Sequence, residues 1–119
     1  MPAIGQGTYY GAAVGTVSNG ATGTTYLAAG QFTQFFNFAT RLGGTADITN
    51  FDGANYHFAV TANAPVTSPG FTGTFENTKG FLNGSFFGPN AAETGGNFSI
   101  KKPIDGFQYI ASGIFTGRQ

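Results

Sequence analysis

Nowhere in these 119 residues do apolar side chains recur at helical spacing over as many as ten positions. What recurs is alternation, in short runs cut by glycine, asparagine and proline, and that pattern restricts the chain to short strands joined by turns. Tyr56, Phe58 and Val60 alternate with His57, Ala59 and Thr61. Phe107, Tyr109, Ala111, Gly113 and Phe115 fall on one face of a closing segment. Between Thr8 and Ser18, Tyr9, Gly11, Ala13, Gly15 and Val17 share one face, with Tyr10, Ala12, Val14 and Thr16 on the other. Small residues repeated along a strand imply a tightly curved sheet that a neighbour approaches closely.

Eight strands are expected, over residues 8–18, 31–40, 46–51, 55–61, 71–76, 81–87, 97–101 and 107–117. In the second, Phe32, Phe36 and Phe38 point one way and Phe35 the other. Phe71, Gly73 and Phe75 line one face of the fifth. The turns have identifiable chemistry. Asp52-Gly53 is a two-residue hairpin signal. Asn63–Gly70 contains Pro65 and Pro69 and reads as a loop, and Asn77-Thr78-Lys79-Gly80 and Asp105-Gly106 read as turns. Pro89 fixes φ in Gly88-Pro89-Asn90, where Asn90 tolerates left-handed backbone. Ala91-Ala92-Glu93 is expected to wind about one helical turn, and Gly95-Gly96 to bend the chain into the next strand. Ser18–Gly30, rich in glycine and threonine, reads as a mobile loop or an extended arm. Hairpins make antiparallel neighbours. The predicted fold is therefore a single all-β domain over residues 1–119, an eight-stranded antiparallel up-and-down barrel in which the first and last strands meet. With 14 phenylalanines, the interior is expected to be filled by side chains, since eight strands enclose little more than that.

Composition removes several classes of function. There is no cysteine, so no disulfide framework or thiolate metal site. Five basic and five acidic residues cancel, leaving no electrostatic footprint for nucleic acid or an anionic membrane. No run of 18 apolar residues marks a membrane helix. The start, Met-Pro-Ala-Ile-Gly, lacks the basic and apolar regions of a signal peptide, which implies either an intracellular protein or a leader cut away before Met1.

Side chains with chemical potential are few. His57, the single histidine, is a weak candidate haem ligand, but alternation with Tyr56 and Phe58 points it out of the barrel. Asp47, Asp52, Glu76, Glu93 and Asp105 are scattered, and no pair has the spacing of a glycosidase. Asn50, Asp52 and Asn55 miss the pattern of a calcium loop. Ser85 and Ser99 have no histidine placed for a triad. Lys101-Lys102 reads as a solvated strand end. Glu93 is expected to accept from backbone N–H groups at the corner. No catalytic residue, cofactor or metal is expected. The longest connections remain, with Tyr26, Leu27 and Val66 as candidate contacts for a protein partner.

One stretch carries more information. Gly84-Ser-Phe-Phe-Gly-Pro-Asn-Ala-Ala-Glu-Thr-Gly-Gly-Asn-Phe-Ser99, followed by Ala111-Ser-Gly-Ile-Phe-Thr-Gly-Arg118, resembles the β-barrel domain of transferrin-binding protein B and its relatives. In that family, Gly-x-Phe-Tyr-Gly-Pro-x-Ala-x-Glu-x-Gly-Gly-x-Phe precedes a closing strand ending in Gly-x-Phe-x-Gly and a basic residue. Gly84, Phe86, Gly88, Pro89, Glu93, Gly95, Gly96 and Phe98 match, and Phe87 stands where tyrosine is usual. The resemblance implies a bacterial surface-exposed or secreted protein at the outer membrane or outside the cell, with a lipid anchor upstream as one route there. Its relatives take iron or haem from host carriers, or bind other host proteins, and often pair the barrel with a separate handle domain. The expected role is a non-enzymatic binding or scaffold barrel that meets a protein partner through loops at one end. A haem or small-ligand binder and a purely structural module are the alternatives.

Overall fold

A computed structural model describes residues 6–20, 22–37, 43–62, 70–75, 79–88, 91–104 and 107–119. They form eight strands: β1 Gln6–Asn19, β2 Thr24–Asn37, β3 Gly43–Phe51, β4 Ala54–Ala62, β5 Gly70–Phe75, β6 Gly80–Phe87, β7 Glu93–Ile104 and β8 Phe107–Arg118. Each pairs antiparallel with the next, and β8 returns to β1, closing the barrel. The expected architecture is the one found.

Alternation decides what faces inward. Tyr9, Ala13 and Val17 from β1 are buried, as are Phe32 and Phe36 from β2, Tyr56, Phe58 and Val60 from β4, and Ala111 and Phe115 from β8. The Phe32 and Phe115 rings stack with centroids 4.4 Å apart, and Phe115 passes contact to Phe71 (6.2 Å) and Phe71 to Phe86 (4.9 Å). Phe51 and Phe98 meet edge to face nearer the other end. Eight strands leave room for these rings and for little else. At the seam the glycines oppose each other, Gly11 across from Gly117 and Gly15 from Gly113. Where β3 turns into β4, Asp52 and Gly53 both have positive φ (51° and 77°), the geometry that two-residue hairpins require.

Several local expectations are corrected. Ser18–Gly30 is neither a loop nor an arm: β1 runs to Asn19, β2 begins at Thr24, and Tyr26 and Leu27 lie within β2. A Gly- and Thr-rich segment can hold strand geometry because β1 pairs with it along its whole length. Gly95-Gly96 is not a bend, because β7 already starts at Glu93 and pairs through both glycines to β6 and β8. The helical turn shrinks to a single tight turn at Ala91, whose φ is +52°. Phe38, Val66, Glu76, Pro89, Asn90 and Asp105, and the side chain of Phe107, lie outside the described residues.

The wall β7–β8–β1–β2 is taller than the rest. The ladder of β2 with β3 ends at Gln31–Thr49, with Phe51 still against Gly30, and the start of β2 rises above the rim. The ladder of β6 with β7 ends at Gly80–Ile100, one more bond runs from Lys101 N to the Lys79 carbonyl, and Lys102–Ile104 rise above it on the other flank.

Candidate functional site

The two ends of the barrel differ in their connections. At the end where the tall wall rises, strands join through residues 20–23, 52–53, 76–79 and 105–106. At the opposite end they join through 38–42, 63–69 and 88–92. Topology therefore separates the sequence candidates: Tyr26 and Leu27 lie toward one end, and the connection holding Val66 leaves from the other.

The corner between β6 and β7 is held from inside. Tyr9 Oη donates to the Ala91 carbonyl at 2.6 Å, Gln119 Nε2 donates to Tyr9 Oη and to the same carbonyl, and Gln119 N donates to Ala92 O. Burial pushes the Tyr9 phenol above its usual range, with the Gln119 contact opposing. Tyr9→Phe is expected to cost about 1–2 kcal/mol, because the buried Ala91 carbonyl loses its shortest partner. Urea unfolding measures the cost, and faster amide exchange at residues 91–92 would locate it at the corner.

On the outside of this corner the family-type residues converge. Phe87 pairs with Glu93, Glu93 with Arg118, and Arg118 with Tyr10, giving one outward row across β6, β7, β8 and β1. Arg118 Nη2 donates to Glu93 Oε1 at 2.9 Å. Glu93 therefore takes an arginine, where backbone donors were expected. Its partner lies 25 residues away in sequence, and only the strand register brings the two together. The next row, Gly95, Thr116 and Ala12, carries small side chains and forms a floor. The result is an open hollow of about 590 Å³ with Tyr10 on one side, Phe87 on the other and the ion pair along its edge. Tyr10 is 64% exposed and Phe87 52%. Two accessible rings, a small-residue floor and a solvent-exposed ion pair suit an apolar or aromatic side chain from another polypeptide. Both rings were legible as outward-facing, since Tyr9 and Phe86 take the inner face. Their proximity was not, because it depends on closure of the barrel.

The other end is plugged. Asp52 Oδ2 accepts from both Tyr26 Oη and Tyr109 Oη at 2.7 Å. Lys102 Nζ donates to Tyr56 Oη at 2.8 Å and stands over the Tyr56 and Tyr109 rings, 4.8 and 4.7 Å from their centroids. Burial first, then the bond to Asp52, pushes the Tyr109 phenol well above its usual range. Lys102 is thus not a solvated strand end. It shares the inner face with Phe98 and Ile100, a parity that its spacing in the sequence already contained. His57 points outward as expected, and its Nδ1 lies 2.6 Å from Asp47 Oδ1 on the neighbouring strand. Among the described residues no three of His, Cys, Asp and Glu are grouped to hold a metal ion.

Comparison with known proteins supplies the context. Residues 1–118 match the family described as C-lobe and N-lobe beta barrels of Tf-binding protein B. No curated protein matches the chain. Among solved structures, a point mutant of the vaccine antigen transferrin-binding protein B (TbpB) from Haemophilus parasuis Hp5 is similar, with TM-score 0.69, 18% identity, and coverage of 100% of this chain and 27% of that one. A double mutant of the same antigen gives TM-score 0.65, 18% identity and coverage of 100% and 26%. Intact Ap-TbpB, with its N and C lobes, gives TM-score 0.66, 17% identity and coverage of 100% and 27%. The chain thus spans about a quarter of the length of these solved relatives.

Proposed function

This chain belongs to the family of C-lobe and N-lobe β barrels of transferrin-binding protein B, and from that premise we propose that it is a non-enzymatic binding barrel of a bacterial surface-exposed or secreted protein. Residues 1–119 act as one domain in this reading. Its partner is a protein, met at the end where connections 38–42, 63–69 and 88–92 emerge, with the Tyr10–Phe87 hollow as the contact on the flank of that end. The observation that carries the reading is the pair of exposed rings on either side of the Glu93–Arg118 ion pair. Exposed aromatic residues around a pocket are the usual anchors of protein recognition. Long connections on a rigid scaffold supply the variable part of such sites.

Transferrin, named in the similar solved proteins, is the first probe. Surface plasmon resonance of the chain against a panel of vertebrate transferrins is expected to show saturable binding. Replacing Tyr10 and Phe87 together by alanine should weaken it by about tenfold or more. Both side chains are exposed, so far-UV circular dichroism should hardly change. Saturable binding that is indifferent to the double replacement would move the contact elsewhere, and no binding to any transferrin would remove the iron-carrier reading.

A further inference from the structure

We infer that a water molecule is bound inside the barrel, on the side-chain amide of Gln34. Alternation sets Gln34 between Phe32 and Phe36 on the inner face of β2, where it is fully buried. A carboxamide in an aromatic core needs partners for its oxygen and for two N–H donors. The oxygen has one: Thr94 Oγ1, also buried, donates to Gln34 Oε1 at 2.9 Å. β1 and β8 stand between β2 and β7 in the wall, so this bond spans the lumen. Gln34 Nε2 has no hydrogen-bond partner among the described residues.

Turning the amide over does not cure this. The nitrogen would then donate to Thr94 Oγ1, and the threonine proton would have to go to the Ser85 carbonyl, a long contact at 3.4 Å. One N–H and the amide oxygen would be left over. Both orientations therefore leave a buried donor unpaired, and the shorter threonine bond favours the first. Buried donors without partners are costly enough that folded proteins nearly always satisfy them.

A water supplies what is missing. It accepts from Nε2, and internal waters characteristically join buried polar groups that lack protein partners. Acceptors for its own protons lie across the lumen: Thr94 Oγ1 gives its one proton to Gln34 and keeps lone-pair capacity, and the Ser85 carbonyl lies beside it. On β3 the residue opposite Gln34 is Ala46, so the neighbouring ladder position carries only a methyl group. The rings at this level, Tyr9, Phe36 and Phe86, pack on one another, and a ring face is at best a weak acceptor. With Gln34 and Thr94 both sealed from the surface, such a water leaves only when the wall opens, so it is long-lived.

Oxygen-17 relaxation dispersion tests this, since it counts long-lived whole waters and ignores exchanging hydroxyl protons. Wild type is expected to hold one more such water than Gln34→Leu, which replaces the amide by hydrocarbon of similar bulk. Far-UV circular dichroism checks that the variant folds. If it does not, a crystal structure of the wild-type chain decides: a solvent peak is expected about 2.7–3.2 Å from Gln34 Nε2. Equal counts in two folded proteins overturn the inference, as does a crystal structure without that peak. Gln34 side-chain N–H resonances shifted upfield by a ring, with no water contact, assign the donor to an aromatic face and overturn it too. The site lies inside the barrel and the Tyr10–Phe87 hollow outside it, so this result stands apart from the transferrin measurement.

Discussion

Gly113→Ala is expected to unfold the barrel, or to lower its stability by about 3 kcal/mol or more. A Cβ built on Gly113 would lie 2.0 Å from the Val14 carbonyl oxygen and 2.5 Å from Gly15 Cα. Both atoms are backbone of the adjoining strand, so no rotamer change relieves the clash. Gly15 is in the same position, with a built Cβ 2.4 Å from Ser112 O. The β1–β8 seam admits no side chain at these two points, and a methyl group there must push the first strand off the last. Opening the seam exposes two strand edges and the phenylalanine core together. Urea denaturation followed by circular dichroism measures the effect, and Gly95→Ala is the control. A Cβ on Gly95 meets the Phe115 carbonyl oxygen and Phe87 Cε2 at 3.4 Å, ordinary contact, so that variant should stay within about 0.5 kcal/mol of wild type. A Gly113→Ala midpoint equal to the control would show that the seam is looser than described.

Phe115→Ala should cost about 4 kcal/mol, in the range for deleting a buried phenylalanine ring. Phe115 is 1% exposed and stacks on Phe32, with Phe71 in contact. It also packs into the space left by glycine, since a Cβ built on Gly84 would come 2.9 Å from its Cζ and 2.7 Å from that of Phe71. Backbone pinned in a closed barrel cannot collapse far into the void, so the cavity term should be near its maximum. A drop in the thermal midpoint of roughly 10–20 °C would follow for a domain of this size. A loss under about 1 kcal/mol would mean that the neighbouring rings repack freely and that the interior is less tightly ordered than the ring geometry indicates.

The alternation of large and small residues carried most of the fold. Tyr56, Phe58 and Val60 named their own inner face, and Asp52-Gly53 named its turn. Ser18–Gly30 did not, because its inner face is built mostly of small residues: Tyr26 and Ala28 pack against the core, but Ala28 and Gly30 are too small to leave a periodic trace, and pairing with β1 completes the strand. Lys102 was legible by parity and missed because lysines at strand ends are usually solvated. The Glu93–Arg118 pair and the Tyr10–Phe87 hollow depend on which strands become neighbours across the seam. That information lies in the register of closure, which no local stretch contains.

Closure also has a consequence for how the protein comes into being. β1 finds its second partner only when Phe107–Arg118 is available, so during folding it keeps one edge unpaired until β8 arrives. Contacts so remote along the chain form slowly. For that interval the half-built sheet has two unpaired edges, the adhesive state that closure of the barrel removes.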